Sequence, residues 1–255
     1  AQASRFLGQA TFGPKLAEID RLLAIGYNAW LAEQTVAVSV CAPPGVVYSC
    51  QLPFLDQLMA QDPDQVWQDK RQEIWWRNVL NGSDQLRQRM AFALSQILVV
   101  SDQNGALEGN PTTLAHYYDL LSRNAFGNYR SLLEQVTLHP AMGHYLSMFR
   151  NQKPDAALNI RPDENYAREI MQLFSVGLVM LNPDGSVLDG NPGLAGVQPV
   201  PTYDQDTIRG FAHVFTGWNY STCIVPNSTG SDVGSLNWWD WEYCSSQAQG
   251  VPGDQ

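Results

Sequence analysis

A segment near the middle of the chain, residues 161–177, combines several ionisable side chains with the signals of a helix. Pro162 suits the first turn of a helix, and Gly177 is placed to end it. At about 100° per residue, Glu169 lies at the edge of the predicted apolar face, so we expect its carboxylate to be partly buried and to need a cationic or hydrogen-bonding partner. Three interpretations stay open: a structural ion pair, a catalytic or ligand-binding carboxylate, and an exposed residue.

Two other residues are candidates to act with that carboxylate. Arg89 borders the buried face predicted for a helix over residues 83–100, whereas Arg87 is expected in solvent. His139 lies at the joint between two predicted helices, where a side chain bonded to backbone is the simpler expectation. In an enzyme, Glu169 would be the general acid or base, and Arg89 or His139 would adjust its pKa.

A metal site is not expected from the histidines and cysteines. His139 and His144 are five residues apart, so on a helix they diverge by about 140° and do not share a face. The sequence has no Cys-x-x-Cys spacing, and no histidine lies within a few residues of a cysteine. We therefore predict no metal and no other cofactor.

An aromatic strip at residues 238–243 is the strongest signal outside the central segment. In an extended strand, alternate side chains share a face: Trp239, Trp241 and Tyr243 lie on one, and Trp238, Asp240 and Glu242 lie on the other. Because Trp and Tyr rings provide large contact areas, the strip and its carboxylates could bind sugar rings or a partner protein. The alternative is that the strip packs against the helical core from outside.

Charge and hydrophobicity exclude several classes of function. The chain has 15 basic and 25 acidic residues and a net charge of −10, which argues against nucleic acids or anionic membranes as the main binding partner. No apolar run approaches the roughly 18 residues of a membrane-spanning helix. The sequence begins at Ala1 without an initiator Met or a leader, which is typical of a processed mature chain or a fragment.

The four cysteines form two local couples, each in a loop-like stretch. Cys41 is near Cys50, and Cys223 is near Cys244; three connectivities are possible, and we predict the local one. Disulfides persist mainly in oxidising compartments, so this pairing predicts an exported protein that is periplasmic, extracellular or attached to the cell surface.

Helical periodicity recurs along most of the chain, with about nine predicted helices. Turn signals between about 180 and 203 interrupt it and predict a β-hairpin. The predicted fold is all-α: an irregular multi-helix bundle with a β-hairpin insertion and disulfide-stapled loops. We expect a helical domain over 1–218 and a disulfide-stapled, aromatic-rich extension over 219–255.

Several motifs occur in an order that resembles a known family. They cover residues 5–14, 85–96, 138–143, 162–169 and 215–218. Their succession resembles the bacterial family of domain of unknown function 1800. This resemblance implies an exported, mainly helical protein without an established activity, and it supplies no agreed catalytic residues. It also implies that a family member usually continues into a further helical half, which nothing in this sequence matches.

Two functions are compatible with these residues. The first is a binding or assembly component, whose acidic surface and aromatic strip contact a partner protein or a glycan. The second is a hydrolase, acting on glycans, with Glu169 as its general acid or base and the strip holding the substrate. The enzyme requires Glu169 to open into a cleft, whereas the binding protein would seal it in an ion pair.

Overall fold

A computed structural model describes residues 1–36, 50–62, 66–219 and 251–252. The chain forms two compact units. Within the described residues, unit 1 lies in Ala1–Thr137, and unit 2 lies in the described part of the chain from Leu138 onward. The predicted all-α class is confirmed, because every described element longer than two residues is a helix. The predicted boundary at 218–219 stays a prediction, because most of the extension lies outside the described ranges.

Unit 1 contains eight helices within its described part. They are α1 Gln2–Ala10, α2 Leu16–Ile25, α3 Tyr27–Gln34, α4 Leu52–Gln61, α5 Gln68–Asn81, α6 Gln85–Ser95, α7 Pro111–Arg123 and α8 Tyr129–Thr137. Helix α7 packs against α4, α5, α6 and α8. All of its residues from Pro111 to Ser122 are buried except the half-buried His116. A helix enclosed on all sides forms the centre of a core, so α7 is the helix around which unit 1 is built.

Helix α6 buries a different face from the one its apolar pattern predicts. The predicted face consists of Leu86, Met90, Ala93, Leu94 and Ile97, but the buried residues of the helix are Arg87, Gln88 and Ala91. Arg87 is only 2 % exposed, so its predicted position in solvent is wrong; Arg89 is exposed, and its predicted role beside Glu169 stays a prediction.

Hydrogen bonds explain why this polar face is buried. The Arg87 guanidinium donates to the Ser122 carbonyl oxygen at 2.9 Å and to the Val36 carbonyl oxygen at 2.6 Å. The Gln88 amide donates to the Asp84 carboxylate at 2.9 Å. Burial of polar groups is tolerated when they are hydrogen-bonded, so partners on distant segments determine the orientation of α6.

Unit 2 has shorter elements. They are α9 Pro140–Tyr145, α10 Asn165–Met171, α11 Gln205–Val214, and the antiparallel pair β1 Trp218–Asn219 and β2 Val251–Pro252. Helices α10 and α11 pack together, and the Tyr166 ring lies edge-on to the Phe215 ring with centroids 4.9 Å apart. Asp204, a residue type that favours helix N-termini, caps α11, because its carboxylate accepts from the Thr207 amide at 2.8 Å.

The helix predicted over 161–177 is limited to α10. Before it, the Asn151 side chain binds the Asp163 backbone at both its N–H and its C=O, which fixes the chain outside the helix. After it, wide turns replace helical bonds: the Phe174 amide donates to the Glu169 carbonyl oxygen at 2.9 Å. Gly177, with φ of 75°, then reverses the chain in a conformation that favours glycine.

The segment predicted as a β-hairpin contains three short stretches that bond to one another in a cycle. The Met180 amide donates to Val200, the Val200 amide to Leu188, and the Leu188 amide to Met180, at 2.8 to 3.3 Å. Only isolated antiparallel bridges result, including Leu181 with Val187. Two continuous paired strands are not formed between residues 178 and 202, so the hairpin prediction is not confirmed.

The cysteine predictions are tested at one position only. Cys50 is buried and disulfide-bonded. Cys41, Cys223 and Cys244 lie outside the described residues, so the local pairing stays a prediction. Among the described helices, none has both the length and the apolar character needed to cross a bilayer.

Candidate functional site

The predicted catalytic carboxylate lies on α10 in unit 2. Glu169 is half-buried, and its Oε2 atom is buried without a hydrogen-bond partner among the described residues. Its predicted partner Arg89 belongs to α6 of unit 1, where the guanidinium lies 5.3 Å from the centre of the Phe12 ring. No ion pair of Glu169 is found within the described ranges.

His139 has a structural position at the start of α9. It is buried, and its Nδ1 atom accepts a hydrogen bond from the Ala141 amide at 3.1 Å, which makes it the cap of that helix. The other histidine, His144, stacks on Phe149 with ring centroids 4.3 Å apart. Burial and the nearby charge of Arg150 lower the pKa of His144 to about 4. Neither contact resembles an acid–base pair with Glu169.

No cluster of three or more metal-ligating side chains occurs in the part of the chain that the structure describes. The aromatic strip, with Trp239, Asp240, Trp241, Glu242 and Tyr243, lies outside that part. Its exposure and its contacts therefore stay predictions.

The structure forms a cavity in unit 1 that the sequence did not predict. Its volume is about 470 Å³, and it lies between α5, the C-terminal end of α6, the segment that follows α6, and α7. The aromatic lining residues are Trp75, Trp76, Phe92, Tyr117 and Tyr118, and the polar ones are Arg71, Gln72, Ser95, Gln96, Ser101 and Asp102. Its size falls in the range of small-molecule sites, and its walls combine aromatic and aliphatic side chains with several polar groups.

Contacts between rings hold the aromatic wall, and they are edge-to-face except for the tilted Trp75–Phe92 pair. The Trp75 ring lies 4.9 Å from the Trp76 ring at an interplanar angle of 77°, and 5.9 Å from Phe92. Phe12, which follows α1, packs against both Trp75 and Phe92, with ring centroids 5.7 and 6.0 Å away. Trp76 is 56 % exposed, so its ring is accessible to a ligand. Such contacts fix ring orientation and add about 0.5–1.5 kcal/mol each.

The charged groups of the cavity neutralise each other. The Arg71 guanidinium donates to Asp102 at 2.9 Å, and the Gln72 amide donates to the same oxygen at 3.0 Å. Burial lowers the pKa of Arg71, although Asp102 opposes that change. Burial would raise the pKa of Asp102, but hydrogen bonds from Gln103 and Gln72 and the charge of Arg71 together lower it. Both groups therefore stay charged and paired at neutral pH.

Hydrogen bonds also position the backbone around the cavity. The Tyr117 hydroxyl donates to the Leu98 carbonyl oxygen at 2.8 Å, which ties the chain after α6 to α7. The Gln68 amide donates to the Leu107 carbonyl oxygen at 3.0 Å, and its oxygen accepts from Arg71 at 2.7 Å. Tyr118 lies beside Trp75, and burial raises the pKa of its hydroxyl. The cavity is thus formed before any ligand arrives.

A pattern in the sequence does mark this wall. Arg71 and Trp75 are four residues apart, as are Gln72 and Trp76, so each pair shares a face of α5. An exposed tryptophan beside a glutamine on the same helix face is the signal that could have identified the cavity.

Comparison with known proteins gives a family but no function. Residues 5–242 match the family described as "Protein of unknown function (DUF1800)". No curated protein matches the chain. No solved structure matches it either.

Proposed function

The chain belongs to the DUF1800 family of proteins of unknown function, and from that premise we propose that it is an exported binding protein whose ligand occupies the aromatic cavity of unit 1. The observation that carries this proposal is the exposed Trp76 ring at a cavity of about 470 Å³ whose own charges are already paired. A preformed site of this kind binds with little loss of conformational entropy.

Binding is favoured over catalysis by the state of the polar groups in the cavity. Asp102, its one lining carboxylate among the described residues, already accepts from Arg71, Gln72 and Gln103. A general base needs a free acceptor within reach of the proton that it removes. Ser95 donates to the Phe92 carbonyl oxygen at 2.8 Å, as a helical serine does. These groups are suited to orienting a ligand.

Small ring-shaped probes test whether the cavity is a binding site. Ligand-observed NMR with p-nitrophenol and indole is expected to show binding to the wild type and much weaker binding to W76A. The matched control is W67A, because Trp67 is 60 % exposed next to the same helix but does not line the cavity. Equal binding by all three proteins, or none by the wild type, would contradict the proposal.

The exported location has chemical support from Cys50. This residue is disulfide-bonded, and disulfides persist in oxidising compartments. We propose the local pairs Cys41–Cys50 and Cys223–Cys244, stapling two loops. Peptide mapping under non-reducing conditions tests the pairing, and cell fractionation tests the location. A wholly cytosolic, reduced protein would contradict both.

A second contact area is proposed at the aromatic strip, where Trp239, Trp241 and Tyr243 share one face at a period of two. The strip and the acidic surface of this chain, whose net charge is −10, would together contact a partner protein in an assembly. The test is a pull-down from the native host with wild type and a W239A/W241A double variant. The same set of captured proteins in both would contradict this role.

A hydrolase using Glu169 is the alternative function. It is favoured by one observation, the buried Oε2 atom without a described hydrogen-bond partner, since such an atom is costly unless a ligand or proton satisfies it. E169Q separates the two roles through its melting temperature and its glycan-dependent activity. A stable but inert variant supports catalysis, whereas a destabilised variant with unchanged ligand behaviour supports a structural carboxyl.

A further inference from the structure

We infer that the ligand of the aromatic cavity is a neutral carbohydrate. The inference rests on the proposed function and assigns a chemical class to the ligand of that same site. Its volume of about 470 Å³ falls within the roughly 300–1,000 Å³ of small-molecule sites, which suits a short oligosaccharide better than a polymer surface.

The exposed tryptophan supplies the apolar half of the recognition. Trp76 is 56 % exposed, and its ring stands nearly perpendicular to Trp75, at 77°. Trp75 therefore holds the Trp76 ring from one side while leaving ring surface open to solvent. The C–H groups of a sugar ring form a flat apolar face that stacks on such a surface, and a rigid indole loses little conformational entropy on contact.

Neutral amides supply the polar half. Gln72 and Gln96 line the cavity and are exposed. A primary amide both donates and accepts hydrogen bonds, which matches a hydroxyl group that does the same. A purely apolar ligand would remove water from these amides without replacing its hydrogen bonds, at a cost in binding free energy. The polar lining therefore disfavours lipids and other hydrocarbon ligands.

The paired charges disfavour an ionic ligand. Arg71 and Asp102 are the charged residues among those that line the cavity, and they lie 2.9 Å apart with Gln72 on the same carboxylate oxygen. A phosphate or carboxylate ligand would compete with Asp102 for the Arg71 guanidinium and would place a second negative charge beside Asp102, which is unfavourable. A ligand that is polar but uncharged avoids that penalty. Among common ligands with an apolar ring face, neutral sugars have this combination.

Calorimetric titration with three neutral trisaccharides tests the inference. The probes are maltotriose, cellotriose and triacetylchitotriose, with a trisaccharide of galacturonic acid as the charged comparison. We expect at least one neutral probe to bind, and W76A to weaken that binding about tenfold, because one ring contact is lost. Q96A should weaken it severalfold. W67A should bind like the wild type, and melting temperatures confirm that each variant is folded.

The outcomes separate this inference from the proposed function. If no neutral trisaccharide binds but p-nitrophenol still binds in a way that depends on Trp76, the ligand class is wrong and the cavity remains a binding site. If neither kind of probe binds, both proposals are overturned. Sugar binding that W76A and W67A weaken equally, or tighter binding of the galacturonic acid probe than of every neutral one, would also overturn the inference.

Discussion

The two units differ in the hydrogen bonding of the charged side chains that they bury. In unit 1, two buried charged side chains have partners: Arg87 of α6 binds backbone carbonyls, and Asp119 of α7 accepts from the Gln51 and Leu52 amides at 2.8 to 3.0 Å. In unit 2, Glu169 lies on a helix of seven residues with one buried oxygen that no described group satisfies. Unit 1 also contains buried polar atoms without a described partner, such as those of Thr112, Thr113 and Gln51, so the contrast concerns the charged side chains Arg87 and Asp119.

One segment of unit 2 exposes a run of apolar side chains. Between residues 173 and 197, unit 2 exposes Leu173, Val176, Leu178, Met180, Leu181, Val187, Leu194 and Val197. The cycle of backbone bonds in this segment fixes its path, although its apolar residues remain at the surface. Backbone hydrogen bonds can therefore order a segment that has little core of its own. The difference between the units is open to measurement, beginning with the largest effect.

Removal of Arg87 should destabilise unit 1 most. R87A leaves the Ser122 and Val36 carbonyl oxygens without their donor and opens a cavity next to α7. We expect a loss of about 4 kcal/mol in the free energy of unfolding, as for other broken buried charge contacts. Urea denaturation measures it. The control is the exposed neighbour Arg89: R89A should change the free energy of unfolding by about 0.5 kcal/mol. Similar losses in both variants would show that α6 does not bury the face that carries Arg87.

Asp119 should make unit 1 more stable in mild acid. Burial raises the pKa of Asp119 to about 7, against the hydrogen bonds from Leu52 and Gln51, with Arg123 and Asp56 as the nearby charges. Between pH 4 and 7 the folded carboxyl binds a proton that the unfolded chain does not, so stability rises as the pH falls.

The measurement compares wild type with D119N across that range. The free energy of unfolding of the wild type should gain about 3 kcal/mol relative to D119N between pH 7 and pH 4. Because the comparison subtracts every other titrating group, His116 does not affect it. A constant difference would show that the three amide bonds keep Asp119 ionised.

His144 should give unit 2 the opposite response. Burial and Arg150 lower its pKa to about 4, so below pH 6.5 the unfolded chain takes up a proton that the folded chain does not. Stability is therefore lost as the pH falls from 6.5 to 4, by about 2 kcal/mol. H144Q should remove this loss. Parallel pH profiles of wild type and H144Q would contradict it.

The surface pair on α10 should have the smallest effect. Arg168 donates to Glu164 at 2.9 Å, four residues away, as the sequence predicts. Half-exposed pairs of this kind contribute about 0.3–0.5 kcal/mol. R168A should lower the melting temperature only slightly, and the effect should disappear in high salt. A loss of stability as large as that of R87A would show that unit 2 depends on this surface pair as strongly as unit 1 depends on Arg87.

Sequence reasoning succeeded where local signals decide the structure. Asn110-Pro111 and Pro140 start α7 and α9, and Asp204 caps α11. It failed where a distant partner decides. The apolar stripe on α6 predicted the wrong face, because the carbonyl bound by Arg87 is 35 residues away in sequence. Helix α1 was missed for a related reason: its buried residues, Ala3, Leu7 and Ala10, are mostly small.

The candidate site shows the same limit. Glu169 was selected for its place on an ideal helix of four turns, but Asn151 holds the preceding chain out of that helix and wide turns end it early. The cavity depends on three helices and a connecting segment meeting, which one sequence pattern does not reveal. Only the spacing of Gln72 and Trp76 on α5 is a sequence signal for one of its walls, and it was not recognised.

Two buried charged side chains anchor Val36 and Gln51. Arg87 binds the carbonyl oxygens of both Val36 and Ser122, and Asp119 binds the Gln51 amide. Because Ser122 and Asp119 lie within one turn of α7, Val36 and Gln51 are held beside the same part of that helix. Changes at Arg87 or Asp119 would therefore release one of these two anchors, Val36 or Gln51, from its place beside α7.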